Sequence, residues 1–375
     1  MRQLNKEKAM TDSKHYLRIA SDFRHEGEIL SIKPYGDGLI NDTFKVTTSG
    51  DGPDYILQRI NSSVFKNVGM LQDNIRKVTG HLRKKKAEAE EADIDRKVLR
   101  FIDSKNGENY IYDKDTGNYW RMMVFIPEAY TYESVTPENA YKTGLAISRF
   151  HSELADMDER IGESIPHFHD MAFRLEEFRE AVAADKASRA GSVRDLIDEI
   201  EARAYDMTAA ERLYSEGKLP KRVCHCDTKV NNLLFDKDGN VMTVIDLDTV
   251  MPSFIFSDYG DFLRTAANFT VEDDPDIKKA GFNPAIFKSF TKGYLEGAKD
   301  FITMTETVML PFAVRLFPYM QCVRFLGDYI NGDTYYKTKY PQHNLVRARN
   351  QFALLESIER YDSDGAMASF IASCI

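Results

Sequence analysis

Cysteine is scarce in this chain, four among 375 residues, and two of them stand one residue apart at Cys224 and Cys226. That number and spacing do not make a disulfide framework, and a cytoplasmic setting is expected. Long apolar runs are missing as well. No stretch approaches the roughly 20 residues that a membrane-spanning helix needs. The first 16 residues are polar and mixed in charge, so no secretory leader and no membrane partner are expected. Positive charge is also short. Lys and Arg number 50 against 59 Asp and Glu, a net charge of −9 that gives nucleic acid no footing. The basic run Arg83-Lys-Lys-Lys86 is followed by Glu88, Glu90, Glu91 and Asp93, and reads as a self-paired, solvated helix end. Neither an internal repeat nor a low-complexity linker is visible.

What is present is one dense run of polar chemistry, His225-Cys-Asp227-Thr-Lys229-Val-Asn-Asn232. An apolar segment ending in Asp236-Lys-Asp-Gly239 follows, and then Val241-Met-Thr-Val-Ile-Asp246. A short strand, a tight turn and a second short strand bring Asn232 and Asp246 together, as two ligands of one cation must be. Phosphoryl transfer needs this set. Asp227 can orient a hydroxyl and take its proton, while Asn232 and Asp246 can hold magnesium against nucleotide phosphates. Lys229 can reach the transferring group and offset its charge. The run reads as the centre of a small-molecule kinase using ATP and Mg²⁺.

The rest of the chain falls into two textures. Residues 28 to 60 alternate in the manner of strands around turns, and a helix follows with Leu71, Ile75, Val78 and Leu82 on one face. Further strands are expected at Val98–Ile102, Tyr110–Tyr112 and Tyr119–Ile126, the last stopped by Pro127. Beyond Pro127 the pattern turns helical. Ala140, Gly144, Ile147, His151 and Leu154 form one stripe, and Val193, Leu196, Ile197 and Ile200 another. The order predicts an α+β, bilobal kinase-like fold. Its strand-rich N-terminal lobe, residues 17–126, has one main helix, and a larger helical C-terminal lobe spans 127–375.

Between the first two expected strands lies Gly36-Asp-Gly38-Leu-Ile40-Asn41-Asp42-Thr43. Glycines there let backbone amides approach phosphates, although a plain β-turn explains Gly-x-Gly about as well. The next strand should supply a cation for the phosphates, and Ile56-Leu-Gln58-Arg59 offers Arg59 or Gln58 where a lysine is usual. Asp73 is the nearest acid on the following helix that could pair with it.

These motifs together resemble the aminoglycoside phosphotransferase-like branch of the protein kinase-like superfamily. Asn41-x-Thr43, Phe150-His151, His225-x-Asp227-x4-Asn232 and Ile245-Asp246 carry the resemblance. Longer blocks resemble the N-acetylhexosamine 1-kinases: GLINDTF (38–44), YILQRIN (55–61), HCDTKVNN (225–232), VIDLDTVMP (244–252), RFLGDYINGDTYY (324–336) and HNLVRARNQ (343–351). The likeness runs from about residue 17 to 357. It implies ATP- and magnesium-dependent phosphorylation of the anomeric hydroxyl of N-acetylglucosamine or N-acetylgalactosamine. By position it makes Asp227 and Lys229 catalytic and Asn232 and Asp246 the metal ligands. Gly36, Gly38, Asn41, Thr43 and Arg59 are expected at the nucleotide, and Asp248, Ile40, Asp42, Arg324 and Tyr335 at the sugar.

Motif spacing alone leaves other alcohols open as acceptors: an aminoglycoside, choline or homoserine. A nucleotide-binding pseudokinase would lack the base or a metal ligand, and all three residues are present. A Cys/His hydrolase on Cys224 or Cys226 has no supporting motif. Monomer or weak homodimer is the expected assembly.

Overall fold

The computed structural model describes residues 14–36, 40–132 and 134–375. The alternating N-terminal segments form one antiparallel sheet. After a helical stretch at residues 14–21 (α1) come β1 (Ile29–Pro34), β2 (Asp42–Thr48) and β3 (Tyr55–Ile60). The long helix α2 (Val68–Glu88) and the short α3 (Ile94–Lys97) separate these from β4 (Ile111–Asp113) and β5 (Asn118–Val124). The strand order is β1-β2-β3-β5-β4.

Both faces of this sheet are covered, and strand alternation decides what each face does. Phe44, Tyr55, Leu57, Trp120 and Met122 point to one side and pack beneath Ile19 and Ala20 of α1. Ile60 and Met123 point to the other, where Leu71, Ile75 and Val78 of α2 meet Leu247 and Val250. The expected strand at 98–102 is reduced to a bridge. β4 pairs with residues 118–120 of β5, so segment 100–102 has only the far half of that edge, through Ile102 N to Met122 O and Val124 N to Arg100 O.

The rest is mostly helical, and the molecule is a bilobal, protein kinase-like α+β fold. Its helices are α4 (Pro137–Leu154), α5 (Met171–Ala184), α6 (Arg194–Met207) and α7 (Ala209–Ser215), then α8 (Phe256–Ala266), α9 (Pro284–Ala298), α10 (Met304–Val308), α11 (Leu310–Ile330), α12 (His343–Tyr361) and α13 (Ala366–Ser373). Between α7 and α8 lie four short strands: β6 (Arg222–Cys224), β7 (Leu233–Phe235), β8 (Val241–Val244) and β9 (Met251–Ser253). Thr136 caps α4 and Asp170 caps α5 by accepting backbone N–H bonds from Asn139 and Phe173. α4 and α9 touch backbone to backbone. A Cβ on Gly144 would lie 2.2 Å from the Phe290 carbonyl, and one on Gly293 would lie 2.1 Å from that of Tyr141. Only glycine permits this approach, and it sets His151 of α4 beside Tyr294 of α9 under the catalytic loop.

Candidate active site

The loop after β6 is built around one buried carboxylate. Asp258, on α8, has no exposed surface and accepts from the amides of His225 (2.8 Å) and Cys226 (2.6 Å). His151 Nε2 donates to the same carboxylate at 2.6 Å, with Tyr294 on its other ring nitrogen at 2.9 Å. Thr228 Oγ1 donates to the Asp258 carbonyl at 2.7 Å. Burial pushes the Asp258 carboxyl up, but His151 and the loop amides outweigh it and hold the group below its ordinary value. His225 then ties two loops together. Its Nε2 donates to Ile245 O (2.8 Å), so Nδ1 is left to accept from the Asp227 amide (3.2 Å). Cys224 and Cys226 are buried, with thiols pushed well above the ordinary value by burial, so neither supplies a thiolate.

Asp227 emerges from this scaffold with its side chain 24% exposed. Lys229 Nζ sits 2.7 Å from its Oδ1, and Asn232 Nδ2 donates to its Oδ2 at 3.0 Å and to its carbonyl at 2.8 Å. Burial raises the Asp227 carboxyl, yet the Lys229 ammonium and the Asn232 amide hold it below the usual carboxylate range. It is therefore ionised at neutral pH.

The hairpin delivers the metal-type ligands. Leu233 of β7 pairs with Val244 of β8, and Ile245 N donates to Asn232 O at 2.9 Å, so Asn232 and Asp246 are neighbours. Asp246 has φ 59°, a left-handed conformation that turns it out of the strand line, as Cys226 (φ 63°) does just before Asp227. Burial, then the nearby Asp248 and Asp227 carboxylates, pushes the Asp246 carboxyl up to about 6. Lys229 pairs with Asp227 and Arg121 with Asp248, so Asp246 is the one of these three acids without a protein partner among the described residues. The donor set fits magnesium: both Asn232 amide protons are spent on Asp227, which turns its Oδ1 away as a hard oxygen ligand beside Asp246.

The N-terminal lobe meets this site differently from what its motifs predict. Arg59 does not face the cleft. It stands on the α1 face of β3 with Tyr55 and Leu57, and its Nε donates to Asp42 at 2.6 Å on the surface. Asp42 pairs across the strands with Arg59, and strand alternation puts both side chains on the α1 side of the sheet. Asp73 pairs instead with Lys77, one turn along α2. Gln58 does face inward, donating to Thr43 Oγ1 (3.0 Å) and accepting from Arg121 Nε (3.0 Å) on β5. Arg121 in turn pairs with Asp248, whose second oxygen accepts from Asn41 Nδ2 at 2.7 Å. Asp248, expected at sugar hydroxyls, is buried and has both oxygens engaged by protein donors. Asn41 is likewise a strut, its Oδ1 accepting from Asn61 N.

Gly36 (φ 70°) makes the turn after β1; Gly38 lies outside the described residues. Ile40 closes the far end of that loop, half exposed, its carbonyl accepting from Asn61. Thr43, Gln58, Arg121, Asn232 and Asp246 line one cleft of about 230 Å³ together with the apolar Ile56, Met123 and Leu234. Arg121 lines this cleft although no motif marks it. Its one sequence signal is a lone cation inside the apolar strand Tyr119-Trp-Arg-Met-Met-Val124.

A second cavity, about 220 Å³, lies between α5, α11 and the loop 331–336. Arg324 lies in its wall, 5.2 Å from the Phe168 ring and 5.8 Å from that of Tyr336. It does not pair with Asp328. That carboxylate instead accepts from the amides of Thr334, Tyr335 and Tyr336 and from Asn344, fixing the loop that presents the exposed Tyr335. His169 lies within electrostatic reach of both Arg324 and Asp227. Burial, then Arg324 and Arg174, push it well below its ordinary value, with Asp227 pulling the other way, so its ring is neutral.

The architecture is shared with solved structures of low sequence identity. An aminoglycoside phosphotransferase from Alicyclobacillus acidocaldarius matches 92% of this chain and 96% of its own, at 16% identity and a TM-score of 0.60. Choline kinase from Cryptosporidium parvum covers 94% of each chain at 12% identity and a TM-score of 0.56. A spectinomycin phosphotransferase, solved with ADP and spectinomycin, covers 96% of this chain and 98% of its own at 13% identity and a TM-score of 0.50. Residues 31–291, which hold the glycine loop, the cleft strands and the whole catalytic hairpin, match the phosphotransferase enzyme family (APH), and the chain belongs to that family.

Proposed function

We propose that this protein is an ATP- and magnesium-dependent small-molecule kinase that phosphorylates the anomeric hydroxyl of N-acetylhexosamines. Family membership supports phosphotransfer, and the ADP complex of a fold neighbour supports a nucleotide in the cleft. The acceptor reading rests on the sequence blocks that resemble the N-acetylhexosamine 1-kinases and on one observation in the second cavity. Its two carboxylates are already committed, Glu177 to Arg174 at 2.6 Å and Asp328 to backbone amides. An ammonium acceptor such as choline would find no free acid or closed aromatic cage there. Arg324 and the Tyr335 and Tyr336 rings suit a neutral sugar, the guanidinium for acetamido and hydroxyl oxygens and the rings for its apolar face.

In the proposed reaction the acceptor hydroxyl lies against the ionised Asp227. Its oxygen forms a bond to the γ-phosphorus, its proton passes to the Asp227 carboxylate, and the bond from that phosphorus to the bridging oxygen breaks to release ADP. Lys229 leaves its apo partner Asp227 to follow the charge of the moving phosphoryl group. Asn232 keeps Asp227 oriented through its amide protons. Asn232 Oδ1 and Asp246 would hold magnesium, which supplies charge neutralisation on the phosphates when bound. Most of the rate enhancement is then positioning and electrostatics. Phosphorus NMR of a reaction with ATP, Mg²⁺ and N-acetylglucosamine tests this. An anomeric sugar 1-phosphate is the expected product, and ATP that stays intact or a phosphate on another hydroxyl overturns it.

A further inference from the structure

Arg121 carries a charge that the proposed chemistry leaves unused. Its side chain is only 2% exposed, in a strand whose neighbours are apolar or aromatic. Burying a guanidinium and a carboxylate together is expensive, and an apolar pair would fill the same space without that cost. The position of the pair is informative. Arg121 and Gln58 are cross-strand partners in register, both on the cleft face, and both line the cleft with Asn232 and Asp246. Nε goes to Gln58 and one Nη1 proton to Asp248, which leaves Nη2 without a protein acceptor among the described residues. The guanidinium is thus held in a fixed plane by two partners and keeps donors for a third.

Among the described residues, two further cations of the sheet, Arg59 and Lys45, do not fit the cleft centre. Arg59 is on the opposite face with Asp42. Lys45 lies 4.0 Å over the Phe125 ring and pairs with Asp54, at the connecting segment rather than beside Asp246.

We propose that Arg121 anchors the nucleotide phosphates, its free Nη donors binding α- or β-phosphate oxygens while Gln58 and Asp248 hold the guanidinium plane. The cation expected on β3 is supplied from the adjacent strand β5, and Gln58 occupies the vacated place as its brace. This rests on the kinase reading above. It predicts planar, bidentate recognition of a diphosphate, which a lysine at the same place would not reproduce.

Isothermal titration of the full-length protein with ADP and with adenosine, both in magnesium, separates phosphate binding from base binding. Arg121→Gln is expected to weaken ADP by about 10- to 100-fold and leave adenosine unchanged, the size of one lost charged hydrogen-bond pair. Gln58→Leu, which keeps the cation but loosens it, gives a smaller loss of the same selectivity. Arg121→Gln/Asp248→Asn removes both charges of the pair together and guards against a merely structural effect. Persistence of the ADP loss in that double variant supports the phosphate role. Recovery of wild-type ADP affinity would mean that Arg121 serves only to neutralise Asp248, and the proposal falls. Unchanged ADP affinity in Arg121→Gln also removes it while leaving the kinase reading intact. A wild-type protein that binds neither ADP nor ATP removes both.

Discussion

The catalytic hairpin and the cleft sheet face each other across the same volume, yet they are built on opposite plans. Asp227, Asn232 and Asp246 lie within one short run of chain, and each is fixed by local bonds: Asn232 to Asp227, Ile245 to Asn232, His225 to Ile245. The sheet side is assembled from far apart in sequence. Asn41 reaches Asp248 across 207 positions, and Arg121 reaches the same residue across 127. Chemistry encoded in one contiguous run is legible as a motif. Chemistry assembled by long-range pairing depends on which strand face each residue takes, and covered faces on both sides blur that signal.

The largest test of this contrast is on the local side. Asp227→Asn should lower kcat by about 10³-fold with the KM for the acceptor changed only a few-fold, because a neutral amide cannot take the proton. Steady-state ADP release measures both. An effect mainly on KM would make Asp227 a binding residue.

Next comes the support of the loop rather than its chemistry. Asp258→Asn leaves two amides and His151 without a full carboxylate partner, and a loss of about 3–5 kcal/mol is expected in denaturant unfolding. The pH dependence follows from the lowered Asp258 carboxyl. Its unfolded value is about 3.9, so its contribution is complete above about pH 4 and is lost as pH falls through the lower folded value. Wild-type stability should decline over that acidic range, and the component should be missing in the variant. Equal acid sensitivity of the two proteins would show that Asp258 does not carry it.

Arg324→Ala should raise the acceptor KM about tenfold through loss of a charged donor, with the KM for ATP unchanged. A matched rise in both would place Arg324 in scaffolding. The smallest effect is expected at Arg59, and it sharpens the comparison most. Arg59→Ala breaks an exposed pair on the α1 face, so stability should move by less than about 1 kcal/mol and ADP affinity not at all. Loss of ADP affinity there would return the phosphate cation to β3.

Much of the fold can be read in the chain before any coordinates. Alternation marks β2, β3 and β5, and the stripes Leu71–Leu82 and Ala140–Leu154 mark buried helix faces. The strand at 98–102 shrinks to a bridge because β4 takes half of the β5 edge and leaves only residues 100–102 a stretch to pair along. The sequence leaves Arg59 and Gln58 open as the residue of β3 that meets the cleft for a different reason. Tyr55 and Leu57 on one face and Ile56 and Ile60 on the other are all apolar, so composition does not reveal which face meets the cleft. The bond from Asp258 to the loop amides is equally hidden, since it joins residues more than thirty apart through backbone groups.

The central claim is the acceptor. Its most direct test is ADP release with ATP and Mg²⁺ across N-acetylglucosamine, N-acetylgalactosamine, glucose, galactose, choline, homoserine and kanamycin, with the acid lability of each product recorded. Turnover confined to the two acetamido sugars, giving an acid-labile 1-phosphate, is the predicted result. Turnover on an amine alcohol with silence on both sugars would contradict it.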